Sequence, residues 1–123
     1  MLKDNFYKVV NSEIAEGQVK THVEINPAHN IFNGHFPGTP VVPGVCMVQM
    51  IKESLESAVN KKLMLTKGDN LKFMNIVDPR VNKYVTLDIM YKLTDEQNIK
   101  TTAVVVFEDK VFFKFSGSFC SNQ

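Results

Sequence analysis

Apolar side chains fall at every second position in three runs of the C-terminal half: Val85, Leu87, Ile89, Tyr91, Leu93; then Ile99, Thr101, Ala103, Val105, Phe107; then Val111, Phe113, Phe115, Gly117, Phe119. Alternate side chains of a strand point to opposite faces, so this period of two predicts three strands sharing one apolar face. The short Glu108-Asp109-Lys110 connection suits an antiparallel hairpin, and Thr94 to Asn98 makes a longer polar one. Two shorter runs, 6–14 and 18–26, meet at Ala15-Glu16-Gly17, where Gly17 can take a positive φ, and Val19, Val23 and Ile25 carry part of an alternation. A second hairpin is expected there.

The period changes after Gly44. Val45, Val48, Ile51, Leu55 and Ala58 or Val59 recur at helical spacing, which predicts a helix over 45–59 with Lys52, Glu53 and Glu56 on its other faces. Ahead of it, Pro27 to Pro43 is rich in Pro, Gly and Asn and reads as a long shaped loop. From Lys61-Lys62 to Asp78-Pro79 the pattern predicts no element of its own. An antiparallel sheet with one apolar face and one amphipathic helix is buried most economically by wrapping the sheet around the helix. The expectation is an α+β chain forming a single domain over residues 1–123.

Composition narrows the function. A 44% hydrophobic and 22% charged chain is an ordinary globular one, and a net charge of +1 supplies no field for nucleic acid or an anionic membrane. Cys46 and Cys120 are too few and too far apart for a disulfide scaffold or a CxxC metal site, so reduced thiols in a cytoplasmic protein are expected. The start of the chain opens no apolar run of signal-peptide length, and no run of apolar residues is long enough to span a bilayer.

The chemistry concentrates in the loop. His35 stands between Gly34 and Phe36-Pro37-Gly38, and Pro37, Pro40 and Pro43 restrict the backbone around it, which predicts a fixed imidazole. Pro43-Gly44 immediately precedes the helix, so free N–H groups and the positive end of the helix dipole lie close to that loop in sequence. Such donors polarise a carbonyl, and a histidine near them suits proton abstraction beside that carbonyl.

The twelve residues Gly34 to Val45, GHFPGTPVVPGV, resemble the signature of the 3-hydroxyacyl-[acyl-carrier-protein] dehydratases, enzymes of fatty-acid synthesis with the hot-dog fold. The resemblance extends to Ile25-Asn26-Pro27 before the loop, to the helix after it, and to Leu71-Lys72-Phe73, similar to the family's Lys-Phe strand start. It implies a hot-dog fold, an antiparallel sheet around one long central helix, and an active site completed across a dimer interface. It implies that His35 acts on the C2 proton of the substrate and that the Gly44 N–H binds the thioester carbonyl, with Phe36, Pro43 and Val45 also contacting substrate. The implied substrate is a 3-hydroxyacyl thioester on acyl-carrier protein or coenzyme A, held through phosphopantetheine, with no metal or nucleotide cofactor.

One position departs from the family. Its catalytic Glu or Asp lies fourteen residues after the histidine, where this chain has Gln49. An amide cannot exchange a proton usefully, and losing general-acid help costs roughly 10²- to 10⁴-fold. Glu53 stands one helical turn further on, where many relatives have Gln, so the pair reads as exchanged. Gln49 and Glu53 therefore join His35 as catalytic candidates. Beside the dehydratase reading stand a non-catalytic acyl-binding homodimer, a subunit whose different partner chain supplies the acid, and a thioesterase using Glu53 or Gln49 to place water. His22 is expected at the surface, His29 along the loop, and Cys46 with a somewhat depressed pKa at the helix start.

Overall fold

The computed structural model describes residues 2–36 and 38–121, so Pro37 of the motif lies outside the described residues. Strand β1 (Tyr7–Ala15) turns through Gly17, at φ 74°, into β2 (Gln18–Ile25), as the first hairpin requires. A helical turn, α1 (Ile31–Gly34), interrupts the long loop, and α2 (Gly44–Val59) follows it. The remaining strands are β3 (Leu63–Phe73), β4 (Tyr84–Leu93), β5 (Asn98–Phe107) and β6 (Lys110–Ser121). All six form one sheet in the order β1-β2-β4-β5-β6-β3, and every pairing is antiparallel.

The predicted alternation sets the buried face. Val85, Leu87 and Ile89 of β4, Ile99, Thr101, Ala103 and Val105 of β5, and Phe113, Phe115 and Phe119 of β6 are buried. Toward the strand ends it fails, and Leu93 and Phe107 are exposed. A register shift between Val105 and Val106 places Phe112 as well as Phe113 in the core. Helix α2 lies against this face, contacting β2, β3 and β4, and its Met50, Ile51 and Leu55 are fully buried. Each such side chain contributes about 1.5–3 kcal/mol when fully buried.

Two expectations need correction. The helix buries a wider face than the expected stripe: Ile51 and Leu55 are buried and Val48, Ala58 and Val59 pack against the core as expected, but Cys46, Met47, Met50, Ser54 and Glu53 are buried too, while Val45 is 74% exposed. Glu53 is thus an interior residue, contrary to its expected place on a polar face. The second correction is β3, a full strand where the residue pattern showed none and the resemblance placed only a strand start at Leu71. Register shifts at Leu65/Lys67 and at Gly68/Asn70 break its period of two, and Gly68-Asp69-Asn70 imitates a turn. Leu71-Lys72-Phe73 ends this strand rather than starting one.

β1 and β3 are the sheet edges. Beyond Leu63, β3 is exposed throughout, and it carries Met64, Leu65, Leu71 and Phe73 to the surface. Among the described residues, no helix is long and apolar enough to cross a membrane.

Candidate active site

The loop that carries His35 is closed by its own backbone. Helical turn α1 ends on His35, whose N–H donates to the Ile31 carbonyl at 3.1 Å, and the Val41 N–H returns to the His35 carbonyl at 2.9 Å. Between them Phe36 and Thr39 exchange N–H to carbonyl bonds of 3.0 and 2.9 Å, and Gly38 takes φ 76°. A non-glycine residue would be strained at that φ, which is why the motif needs glycine there. Two contacts tie the loop to the turn after β3: Val42 N–H to the Val77 carbonyl at 2.9 Å, and Arg80 Nη1 to the Gly38 carbonyl at 3.3 Å. Arg80 is itself held by Asp78 through a 2.9 Å ion pair.

The His35 ring, half-buried, stacks on Phe36 with centroids 4.2 Å apart. Its Nδ1 lies 3.3 Å from the Val41 carbonyl. A carbonyl oxygen only accepts, so this bond assigns the proton to Nδ1 and leaves the Nε2 lone pair as the basic atom.

Pro43 caps α2 in an extended conformation, with φ −65° and ψ 148°. Its carbonyl accepts from the Cys46 and Met47 N–H groups, and the Gly44 and Val45 N–H groups have no partner among the described residues. With the Phe73 ring where it stands, Gly44 leaves no room for a side chain. A Cβ there would stand 2.4 Å from Cζ of Phe73, whose ring packs across the start of the helix. His35, Val42, Pro43, Gly44, Met47, Phe73 and Ile76 border one cavity of about 410 Å³, open to the surface. The structure thus brings His35 and Gly44 together, with Pro43 in the wall, as the motif suggested. Phe36, 51% exposed, and Val45 lie outside that wall.

Gln49 and Glu53 stand apart from this cavity within the chain. Glu53, 5% exposed, accepts four hydrogen bonds: from Leu2 N–H at 2.8 Å, Lys3 N–H at 3.0 Å, Tyr7 O–H at 2.9 Å and Gln49 Nε2 at 2.7 Å. Burial raises its pKa, but the donors, Leu2 N–H foremost, outweigh that and hold the carboxyl below its ordinary value. Burial in turn pushes the Tyr7 phenol up, assisted by its bond to Glu53. Tyr7 is the partner that sequence reasoning missed, since it lies 46 residues from Glu53 and no local pattern joins them.

The other candidates are occupied structurally. Cys46 is buried, and burial raises its thiol, correcting the expected depression. His22 is half-buried on β2 and lies 2.9 Å from Thr86 Oγ1 and 2.8 Å from Glu13 Oε2. His29 accepts from the Ile31 N–H and packs edge-on against Phe6.

Comparison with known proteins places this geometry. The 3-hydroxyacyl-[acyl-carrier-protein] dehydratase FabZ of Rickettsia felis is 33% identical over 93 residues, covering 69% of this chain and 64% of that protein. The chain therefore spans a little under two thirds of the length of the curated relatives it matches. FabZ of Rickettsia typhi is 43% identical over 56 residues, 39% of each chain. Among solved structures, the dehydratase heterocomplex ApeI:P from Xenorhabdus doucetiae superposes with a TM-score of 0.68 at 17% identity, over 91% of this chain and 96% of that one. The Escherichia coli PaaI protein of the phenylacetic acid degradation operon gives 0.65 at 11% identity, over 95% and 80%. At such identities these two speak for the fold alone, the hot-dog arrangement of a sheet around a central helix. The ApeI-like model, described as ApeI dehydratase, matches residues 11–113, from within β1 to within β6 and across the whole His35 loop. With that span matched, the chain belongs to the ApeI-like dehydratase family.

Proposed function

We propose that the protein is a dehydratase acting on 3-hydroxyacyl thioesters in acyl-chain synthesis, the acyl group arriving on the phosphopantetheine of a carrier protein or of coenzyme A. The observation that carries this reading is the juxtaposition of His35 and Gly44 at one cavity, with Nδ1 of His35 bonded to the Val41 carbonyl and Nε2 left as base. A thioester carbonyl received by the Gly44 N–H is polarised, which acidifies the C2 proton that Nε2 removes. The C2–H electron pair then forms the C2–C3 double bond as the C3–O bond breaks, and the departing hydroxide takes a proton to leave as water.

The source of that last proton separates two forms of the reading. Within one chain, the imidazolium of His35 is the available acid, since Gln49 carries no exchangeable acidic proton. Saturated by four donors, Glu53 is poorly placed to supply one. The second form is favoured by Gln49 itself: a different partner chain pairs with this one and contributes the carboxylic acid. Either way the functional unit is two chains, built on the exposed apolar edge of β3.

The test is water loss from a panel of 3-hydroxyacyl thioesters, with Gln49→Glu beside the wild type. In that variant two carboxyls meet at the contact where Gln49 Nε2 now lies 2.7 Å from Glu53. Glu53 keeps its three other donors and its charge, so the new carboxyl at position 49 takes the proton and becomes a general acid. A gain of roughly tenfold or more is expected. No water loss from any member of the panel, by either protein with or without a partner chain, removes the dehydratase reading.

A further inference from the structure

Helical turn α1 is four residues long, and a single turn does not hold itself, because closing it fixes several residues for each bond formed. Its N-cap, Asn30, makes no side-chain capping bond. Yet the turn ends on His35, whose N–H donates to the Ile31 carbonyl at 3.1 Å, so whatever steadies α1 steadies the imidazole. Packing supplies the support. Ile31 lies at the margin of the core, and Phe32 is the buried residue of α1. The Phe32 ring stands 5.6 Å from that of Phe6, which also meets His29 edge-on at 5.3 Å. Phe6 is wholly buried.

Phe6 is itself held on both sides. Its N–H donates to the Leu2 carbonyl at 2.8 Å, and its carbonyl accepts from the Asn26 N–H at 2.8 Å, just after β2. Before it in the chain, the Leu2 and Lys3 N–H groups donate to the two carboxylate oxygens of Glu53 at 2.8 and 3.0 Å. After it, the Tyr7 O–H reaches the same carboxylate at 2.9 Å. The segment from Leu2 to Tyr7 is thus fastened at both ends to one side chain of α2, and the ring between the fastenings packs on α1. Phe6 does not border the His35 cavity, so any effect it has there passes through α1.

We propose that Phe6 is a positioning residue for His35, acting through α1, and that Glu53 fastens the segment that carries it. This rests on the reading of His35 as the base and deepens it by naming what holds that base at the cavity. The first turn of α2 carries Gly44, and two turns further on the same helix carries Glu53. Carbonyl donor and base are therefore kept in one frame by contacts that lie outside the cavity, and a carboxylate inside the protein has a task there.

Native-state hydrogen exchange of the whole wild-type chain in low denaturant tests the brace. The Lys3 and His35 amides should open with the same free energy, since α1 does not stand once the segment is released. A clear inequality overturns the proposal, and that result needs neither a variant nor a substrate. Glu53→Gln should weaken the protection of both amides in step; a loss at Lys3 with His35 unchanged overturns the fastening role. Turnover of a 3-hydroxyacyl thioester gives the second arm. Phe6→Leu keeps an apolar side chain but withdraws the ring from Phe32, and kcat should fall by roughly 10- to 100-fold with KM little changed, as a 1 Å misplacement of catalytic groups costs on that scale. Phe119→Leu is the control. It trims an equally buried ring, six residues along β6 from the Phe113 that packs on Phe73 at the cavity, and should leave kcat near the wild-type value. Equal losses of kcat in the two folded variants overturn the positioning role. Absence of turnover in the wild type removes the dehydratase reading alone and leaves the exchange result standing.

Discussion

At the scale of the residue, Glu53 and His35 show opposite relations between sequence and chemistry. His35 was singled out because much of what holds it is local, the prolines and glycines around it and the Val41 carbonyl six residues on, although Val77 and Arg80 also tie its loop down from the turn after β3. Glu53 was not, because helical periodicity assigns a carboxylate to solvent by default, and the donors that satisfy it come from the other end of the sequence. A consequence can be measured. The folded state holds the Glu53 carboxyl below the ordinary value of 4.5, so it binds fewer protons there than the unfolded chain does. The stability Glu53 contributes is therefore complete above the ordinary value and is lost as the pH falls through the lowered one. Glu53→Gln should cost about 1–3 kcal/mol at neutral pH, because buried donors lose a charged acceptor. Urea titrations at neutral and acid pH should show the gap between wild type and variant narrowing on the acid side. A gap that is constant with pH would mean that Glu53 is not held as a buried carboxylate.

At the scale of the element, what the sequence displays depends on whether an element keeps a regular period. β4 and β5 keep theirs, β6 keeps it from Phe113 onward, and all three were readable to within a residue or two at their ends. β3 does not, since two register shifts and an internal Gly68-Asp69-Asn70 hide an eleven-residue strand. For α2 the helix and most of its inward face were plain, but at the helix start Cys46, Met47 and Met50 compete with Val45 for the buried positions and only packing decides. The start of α2 yields a prediction. Gly44→Ala brings a methyl group to within 2.4 Å of the present Phe73 Cζ position. Because Phe73 is exposed, its ring can swing away, and the unfolding free energy should change by less than about 1 kcal/mol. Turnover should fall by roughly 10²-fold, as misplacement of a positioned carbonyl costs about that much. Unchanged turnover would remove Gly44 from the carbonyl-binding role.

At the scale of the whole molecule, the two sheet edges differ. β1 carries Lys8, Asn11, Ser12 and Glu13, with the smaller apolar side chains Val9, Val10 and Ile14 exposed among them. β3 offers the larger side chains Met64, Leu65, Leu71 and Phe73 along the other edge of the sheet. Two-fold pairing of this edge with a second chain would cover those side chains. Light scattering of the wild type should give a dimer at micromolar concentration, and Leu71→Asp should shift it toward monomer with the fold retained. A monodisperse, folded wild-type monomer would contradict both the interface and a site shared between chains.

The central claim is that His35 is the base of an acyl dehydratase, and mass spectrometry of 3-hydroxyacyl thioesters tests it most directly. Wild type and His35→Ala would be compared under identical conditions, each confirmed as folded. The account predicts conversion to the 2-enoyl thioester with loss of water by the wild type, and a fall of at least about 10²-fold in the variant, since a positioned general base contributes on that scale. Equal conversion by the two folded proteins would contradict it.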